Sequence, residues 1–273
     1  MKKTLIYMLV AGSILSLASC KKNNLVVDKD VTPPSFAKFN TSATSGTYYI
    51  KSTNNTYRLP IGFTTVSDKD RTINISYESS TGAAAGVQYN APSSFVMPAG
   101  KALDTLTISG LYSGYPSSTR IDILKITLTD GDVPANDYNK VFTLTMRKYC
   151  DVVLANLAGD YTLTYENGSY GPYTSTISNI VSTGATTATA TLSNIYDSGI
   201  SATIGLDWTD PANFKVTMAS QSTGFTSGGL PLLVRANATG VKTFSSCENT
   251  FSIALQLYTS AGIYDSWQMT MAR

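Results

Sequence analysis

The sequence predicts an all-β protein of two domains, the second of which is a meander that forms a β-barrel or a sandwich. Apolar and polar residues alternate with a period of two in many short runs, which is the pattern of strands with one buried face. Gly, Asn, Asp, Ser and Pro separate these runs and favour turns between strands. No long amphipathic helical pattern is found.

Residues 1–20, MKKTLIYMLVAGSILSLASC, have the features of a bacterial export signal. Two lysines precede an apolar run that is shorter than the roughly 20 residues of a membrane-spanning helix. Small residues close the run, so that a signal peptidase would cut before Cys20. We therefore expect residues 1–19 to be a signal peptide, and residues 20–34, which are polar and end in two prolines, to be an extended tether.

The end of this segment, Leu17-Ala18-Ser19-Cys20, resembles the lipobox of diacylglyceryl-modified lipoproteins. The resemblance implies that the Cys20 thiol carries a lipid and that several acyl chains together anchor the protein to a bilayer. Lys21 after the cysteine is compatible with sorting to the outer membrane, on either its periplasmic or its surface side. The alternatives are an ordinary secreted protein and an uncleaved anchor.

The balance of charges disfavours a nucleic-acid partner. The chain has 20 Lys and Arg against 18 Asp and Glu, and Lys2 and Lys3 leave with the signal. A neutral surface offers no basic field for phosphate backbones.

The chain that remains is longer than one small β-domain, which suggests two domains, at residues 35–148 and 149–273.

In the first domain the apolar faces of several strands can be followed directly. The residues expected to point inward are Tyr57, Leu59, Ile61 and Phe63, then Ile73, Ile75 and Tyr77, and later Phe142, Leu144 and Met146. Between Ile123 and Leu124 the apolar residues change parity, which predicts a bulge or a strand buried on both faces.

Four segments of this domain, taken in order, resemble Calx-beta-type immunoglobulin-like domains. They are TINISY at 72–77, GVQY at 86–89, FVMPAG at 95–100 and LTI at 106–108. The resemblance implies a β-sandwich. It also implies a Bacteroidota lineage, because such modules are frequent in lipoproteins of that phylum, including those of glycan-utilisation loci.

Some Calx-beta domains bind calcium, and two predicted turns carry paired aspartates. The four residues are Asp68, Asp70, Asp130 and Asp132. Calcium takes six to eight oxygen ligands, whereas aspartates are common in turns because they bond their own backbone. We therefore expect no metal and no cofactor.

The second domain is predicted to contain about eight strands in sequential hairpins. Its opening, LAGDYTLTY at 157–165, resembles lipocalin-like domains of bacterial lipoproteins, and Tyr161, Leu163 and Tyr165 are expected on one face. Further apolar faces are Ile200, Ala202, Ile204, Leu206 and Trp208; Phe214, Val216 and Met218; Phe251, Ile253, Leu255 and Leu257; and Trp267, Met269 and Met271.

Two cysteines remain once Cys20 is lipidated, namely Cys150 and Cys247. Disulfides persist in exported compartments, so a bridge between them is expected. Two buried free thiols are the alternative.

The sequence contains little that indicates catalysis. The chain has no histidine, which excludes a Ser-His-Asp triad and zinc sites that use histidine. Glu78, Glu166 and Glu248 are its only glutamates, and their spacing selects no carboxylate pair of the glycosidase type. We therefore expect no catalytic residues and a protein that is not an enzyme.

The positive feature is aromatic, with 17 tyrosines in the chain. Tyr170 and Tyr173, in the predicted loop from Glu166 to Tyr173, are candidate ligand-binding residues together with Trp208, because aromatic faces stack on sugar rings. The alternative is that tyrosine simply suits strands and barrel rims.

These features together predict a membrane-anchored, non-catalytic binding lipoprotein that acts as an accessory in glycan capture. The alternative is a structural or adhesin-like lipoprotein that contacts another protein of the cell envelope.

Overall fold

The computed structural model describes residues 34–53 and 55–273. The expected signal peptide, Cys20 and the tether up to residue 33 lie outside the described residues. Residues Phe36 to Arg273 form one compact unit, and its secondary structure is almost entirely β. Within the described ranges, no helix is both long and apolar enough to cross a membrane.

The first nine strands form a two-sheet sandwich, called here the first module. One sheet has the order β1-β3-β7-β5 and the other the order β2-β9-β8-β4-β6, with β2 parallel to β9. The strands are β1 (Ala37–Phe39), β2 (Ser45–Ile50), β3 (Thr56–Phe63), β4 (Arg71–Ser79), β5 (Tyr89–Asn90), β6 (Ser94–Met97), β7 (Leu103–Gly110), β8 (Ile121–Thr129) and β9 (Val141–Lys148). The inward faces predicted for β3, β4 and β9 all contribute to the core between the sheets.

The predicted irregularity in β8 is wrong. This strand pairs in continuous register with β4 and β9, and Ile121 and Ile123 are exposed while Leu124 is buried. The inward position between the two isoleucines belongs to Asp122, which is 1% exposed. Its carboxylate accepts hydrogen bonds from Arg120 Nε at 2.9 Å and Thr81 Oγ1 at 3.0 Å. A paired charge thus occupies a position where alternation suggested an apolar one.

The remaining strands form one ten-stranded sheet, called here the second module. A four-residue helix, α1 (Leu154–Leu157), precedes it. The strands are β10 (Gly159–Glu166), β11 (Tyr170–Gly184), β12 (Thr187–Ile195), β13 (Ile200–Asp207), β14 (Lys215–Thr217), β15 (Gln221–Ser227), β16 (Leu230–Ala236), β17 (Lys242–Ser245), β18 (Thr250–Thr259) and β19 (Gly262–Ala272).

This sheet closes on itself. Its order is β15-β16-β18-β17-β14-β13-β12-β11-β10-β19, and β18 also pairs with β19. Eight strands, β10 to β14 and β17 to β19, therefore form a ring, which removes the open edges of a flat sheet. The apolar faces predicted for β13, β14, β18 and β19 fill its interior.

Strand β10 departs from the predicted alternation. Its pairing with β11 shifts register between Tyr161 and Thr164 and again between Thr164 and Glu166. Tyr161 is buried as expected, but Leu163 is 43% exposed, and the inward positions pass to Thr164 and Glu166. The expected common face of Tyr161, Leu163 and Tyr165 is wrong, because a bulge shifts the alternation by one residue.

The two modules have separate hydrophobic cores and touch around the segment that joins them. In the structure Cys150, which follows β9, forms a disulfide with Cys247 in the turn between β17 and β18. In the same turn the Glu248 carboxylate accepts hydrogen bonds from the backbone nitrogen of Ser118 at 2.9 Å and from its hydroxyl at 2.7 Å.

Removing the disulfide is predicted to destabilise the protein. Its cysteines are 97 residues apart, and on the chain-entropy model a loop of that size is worth at most about 4 to 5 kcal/mol. We expect the variant with Cys150→Ala and Cys247→Ala to unfold at lower urea concentration than the wild type. Reductant should shift the wild type toward the variant and leave the variant unchanged. Free thiols that react with an alkylating agent in the untreated native protein would contradict the bridge.

Candidate ligand-binding site

A pocket of about 370 Å³ opens at one end of the barrel. Two hairpin turns, β10 to β11 and β12 to β13, border it together with the first half of β19. The lining residues are Glu166, Asn167, Ser169, Tyr170, Tyr196, Asp265 and Trp267.

Strand β19 extends beyond the end of β10. Glu166, the last residue of β10, pairs with Met269, so residues 262–268 extend past it. The backbone nitrogen of Asn167 donates to the carbonyl of Gln268 at 2.8 Å, and the Asn167 Oδ1 accepts from the nitrogen of Gln268 at 2.9 Å. Asp265 and Trp267 are thereby held beside the turn that follows Glu166.

The first bordering turn is determined locally. Asn167 and Gly168 both have positive φ, 47° and 69°, and the nitrogen of Ser169 donates to the carbonyl of Glu166 at 3.1 Å. An Asn-Gly pair with both residues left-handed is the favoured two-residue hairpin turn. The pair therefore ends β10 directly after Glu166.

The second bordering turn holds a tyrosine in a strained backbone conformation. Tyr196 has a φ of 61°, a region that bulky residues rarely occupy. Its hydroxyl donates to Asp265 Oδ2 at 2.6 Å, and its ring meets that of Trp267 edge-on at 4.7 Å between centroids. These contacts hold the side chain across the pocket and compensate for the strain.

Glu166 is the buried polar group of this pocket. Its side chain is 4% exposed; one carboxylate oxygen, Oε1, accepts a hydrogen bond from the Tyr173 hydroxyl, while Oε2 has no partner. Burial raises the pKa of Glu166 to about 7, although the Tyr173 hydroxyl and the backbone of Tyr196 lower it, and the charge of Asp265 raises it further.

Trp267 supplies a second unsatisfied atom. The residue is 4% exposed, and its Nε1 is buried without a hydrogen-bond partner. Buried polar atoms are nearly always hydrogen-bonded in native proteins. Two of the residues that line the pocket, Glu166 and Trp267, therefore each carry one buried polar atom that the protein itself leaves unpaired.

The structure brings together two of the three aromatic residues selected from the sequence. The ring centroids of Tyr170 and Tyr173 lie 6.1 Å apart. Tyr170 lines the pocket and is 57% exposed, whereas the Tyr173 hydroxyl donates a hydrogen bond to Glu166. Trp208 lies elsewhere, at the opposite end of β13, where its backbone nitrogen donates to Thr186, and it packs against the core. The structure corrects the expected grouping of Trp208 with Tyr170 and Tyr173, because the tryptophan that lines the pocket is Trp267.

Sequence reasoning also missed Asp265 and the inward position of Glu166. One signal was available for Trp267: it shares the inward face of β19 with Met269 and Met271 and lies nearest the start of that strand. Glu166 could not be selected, because its inward position depends on the bulge in β10.

Three of the four aspartates considered for calcium accept hydrogen bonds from backbone nitrogens, either of their own loop or of a neighbouring segment. Asp70 accepts a hydrogen bond from the nitrogen of Ala99, Asp130 from that of Ala135 and Asp132 from that of Thr72, all at 2.8 to 2.9 Å. Across the residues that the structure describes, no cluster of three or more His, Cys, Asp or Glu side chains could hold a metal ion.

No family model and no curated protein matches the chain. Among solved structures, the apo-form Calx CBD1 domain is 12% identical, with a TM-score of 0.33, and the match covers 42% of this chain and 98% of that one. CBD12 from CALX1.2 is 10% identical, with a TM-score of 0.33 and coverages of 82% and 81%. A candidate carbohydrate-binding protein from Bacteroides ovatus is 11% identical, with a TM-score of 0.36 and coverages of 87% and 70%. At such low TM-scores these likenesses carry no argument about function.

The buried Glu166 predicts a pH-dependent stability. Its pKa is about 7 in the folded protein against an ordinary 4.5, so the folded state binds the proton more tightly than the unfolded state. The stabilisation is fully present below pH 4.5 and is lost as the pH rises through 7. Relative to Glu166→Gln, we expect the wild-type free energy of unfolding to fall by up to about 3 kcal/mol across that interval.

Urea unfolding at several pH values checks this expectation. Glu78→Gln is the matched control, since Glu78 is exposed and paired with Lys125 on β8. Wild-type and Glu166→Gln curves that run parallel from pH 4.5 to pH 7 would contradict it.

Proposed function

We propose that the protein is a non-catalytic binding protein and that the barrel-end pocket takes up a small polyhydroxylated ligand, such as one residue of a glycan. The observation that carries the proposal is the pair of unpaired buried atoms, Glu166 Oε2 and Trp267 Nε1, in a pocket bordered by exposed aromatic rings.

A sugar matches this combination of groups. Each hydroxyl can donate a hydrogen bond to a carboxylate oxygen and accept one from an indole nitrogen. The ring faces of Tyr170 and Tyr196 offer flat apolar surface for the C–H side of a sugar ring, while their hydroxyls provide a polar end at the edge of the pocket. The pocket volume of about 370 Å³ lies within the usual range for small-molecule sites.

The proposal assigns no reaction to Glu166. Most glycoside hydrolases use two carboxyl groups that flank the scissile bond. In this pocket Asp265 accepts the hydroxyl of Tyr196, and Glu166 accepts that of Tyr173. Both carboxylates are therefore engaged by tyrosines that position them as hydrogen-bond acceptors.

The proposed setting is the outer membrane, with the protein anchored through acylated Cys20. Support comes from the lipobox-like run before Cys20 and the polar residues that follow it. In this setting the protein would act as an accessory in glycan capture.

Binding is predicted to depend on the pocket aromatics. We expect Trp267→Phe, which keeps an aromatic ring but removes the N–H donor, to weaken sugar binding about two- to tenfold through the lost hydrogen bond. Tyr170→Ala should weaken it by a similar factor through lost ring contact. Trp208→Phe is the matched control, since Trp208 lies at the other end of β13 and should leave affinity unchanged.

Calorimetry against a panel of mono- and oligosaccharides measures these effects. Absence of binding to every sugar would contradict the proposal and favour the structural or adhesin-like alternative. Release of reducing sugar from an oligosaccharide that stops in Glu166→Gln would overturn the non-catalytic assignment.

Anchoring has its own test. We expect the wild-type protein to fractionate with membranes and to yield a lipid-modified N-terminal peptide at Cys20 by mass spectrometry. Cys20→Ala should be released into the soluble fraction with its β-structure intact. An unmodified amino terminus in the membrane-bound wild type would contradict acylation at Cys20.

A further inference from the structure

The tyrosine hydroxyls around the pocket are already used as donors. Tyr173 donates to Glu166, Tyr196 donates to Asp265, and the Tyr170 hydroxyl donates to Asp197 Oδ2 at 3.3 Å. The three carboxylates retain free acceptor sites, whereas each tyrosine hydroxyl already donates its only proton in a hydrogen bond. The carboxylates therefore offer acceptor sites to a ligand in this pocket.

The charges of the pocket have one sign. Glu166 and Asp265 belong to its lining, and Asp197 lies directly behind Tyr170. The seven lining residues include neither Lys nor Arg. The ion pairs found among the described residues all lie in the first module or at its junction with the second, so these three carboxylates have no cationic partner there.

Aromatic rings complete the arrangement. Tyr170, Tyr196 and Trp267 line the same pocket, and ring faces attract cations through their quadrupoles, more strongly where water is excluded. Carboxylates together with aromatic rings form a site that complements a cationic group bearing several N–H donors.

We propose that the cationic group which complements this pocket is a protonated amine. The pocket then prefers a polyhydroxylated ligand with a free amino group, such as an amino sugar, over its neutral or acidic counterparts. The inference rests on the proposed binding function and specifies its ligand class. The ammonium would donate to the unpaired Oε2 of Glu166, which the protein buries without a partner, while the ligand hydroxyls would reach Trp267 Nε1 and Asp265.

Glu166 couples this preference to protons. Its pKa of about 7 means that part of the protein carries a proton on Glu166 near neutral pH. An ammonium favours the ionised carboxylate, so binding would release that proton to the solvent. The other titratable groups that face Glu166 are Tyr173, Tyr170, Tyr196 and Asp265, and the tyrosine pKa values are all raised, which keeps their hydroxyls protonated as donors.

The test compares four probes by calorimetry at pH 7: glucosamine, N-acetylglucosamine, glucose and glucuronate. We expect glucosamine to bind at least about tenfold more tightly than N-acetylglucosamine, because acetylation removes the charge, and glucuronate to bind more weakly than glucose. The binding enthalpy of glucosamine should vary with the ionisation enthalpy of the buffer, since a proton is released.

Variants separate a specific pocket effect from unfolding. Glu166→Gln should reduce the preference for glucosamine over N-acetylglucosamine, taken as the ratio of the two affinities in that variant, to less than about threefold. Asp265→Asn provides a second variant with a smaller loss of the same preference, and Glu78→Gln is the matched control that should preserve it.

The outcomes are distinguishable. If no sugar binds, the proposed binding function itself fails. If glucose, N-acetylglucosamine and glucosamine bind equally, the binding function stands and the preference for an amine is overturned. A preference for glucosamine that persists unchanged in both Glu166→Gln and Asp265→Asn would also overturn it, because the amine would then lie at another site.

Discussion

The bulge in β10 determines which side chains of the second module enter the barrel, and the candidate site depends on it. Regular alternation would turn Glu166 outward with Thr162 and Thr164, but the register shift after Tyr161 brings Thr164 and Glu166 inside. Closure of the sheet by β18 and β19 makes that side of β10 the interior of a barrel, where Glu166 is 4% exposed. Both constraints are required, because a bulge on an open edge would leave Glu166 solvated.

Burying a carboxyl group is costly unless other groups stabilise it, and this pocket supplies tyrosine hydroxyls for that purpose. Tyr173 and Tyr196 stabilise Glu166 and Asp265 with hydrogen bonds but contribute no positive charge. Each carboxylate is thus held in place while its charge remains uncompensated. A lysine or arginine in the same position would compensate the charge of the carboxylate more completely.

The junction between the modules is held by covalent, polar and aromatic contacts. Cys150 is joined to Cys247, Glu248 accepts two hydrogen bonds from Ser118, and the rings of Tyr149 and Phe214 meet at 6.0 Å between centroids. Burial alone would raise the pKa of Glu248, but hydrogen bonds from Ser245 and Ser118 and the charge of Lys148 hold it below its usual value. The disulfide and the Glu248 contacts lie at the turn between β17 and β18, and Phe214 directly precedes β14, which pairs with β17; together they fix the barrel to the sandwich.

The sequence by itself determined the all-β class and the inward faces of β3, β4, β9, β13 and β18, because these follow from alternation. It also selected Tyr170 and Tyr173. Only the tertiary structure decided the inward turn of Glu166, the regular register of β8 around Asp122, and the replacement of Trp208 by Trp267 at the pocket. Each of these depends on strand register and on the closure of the barrel, which arise between residues far apart in the chain and leave no periodic trace within a single strand.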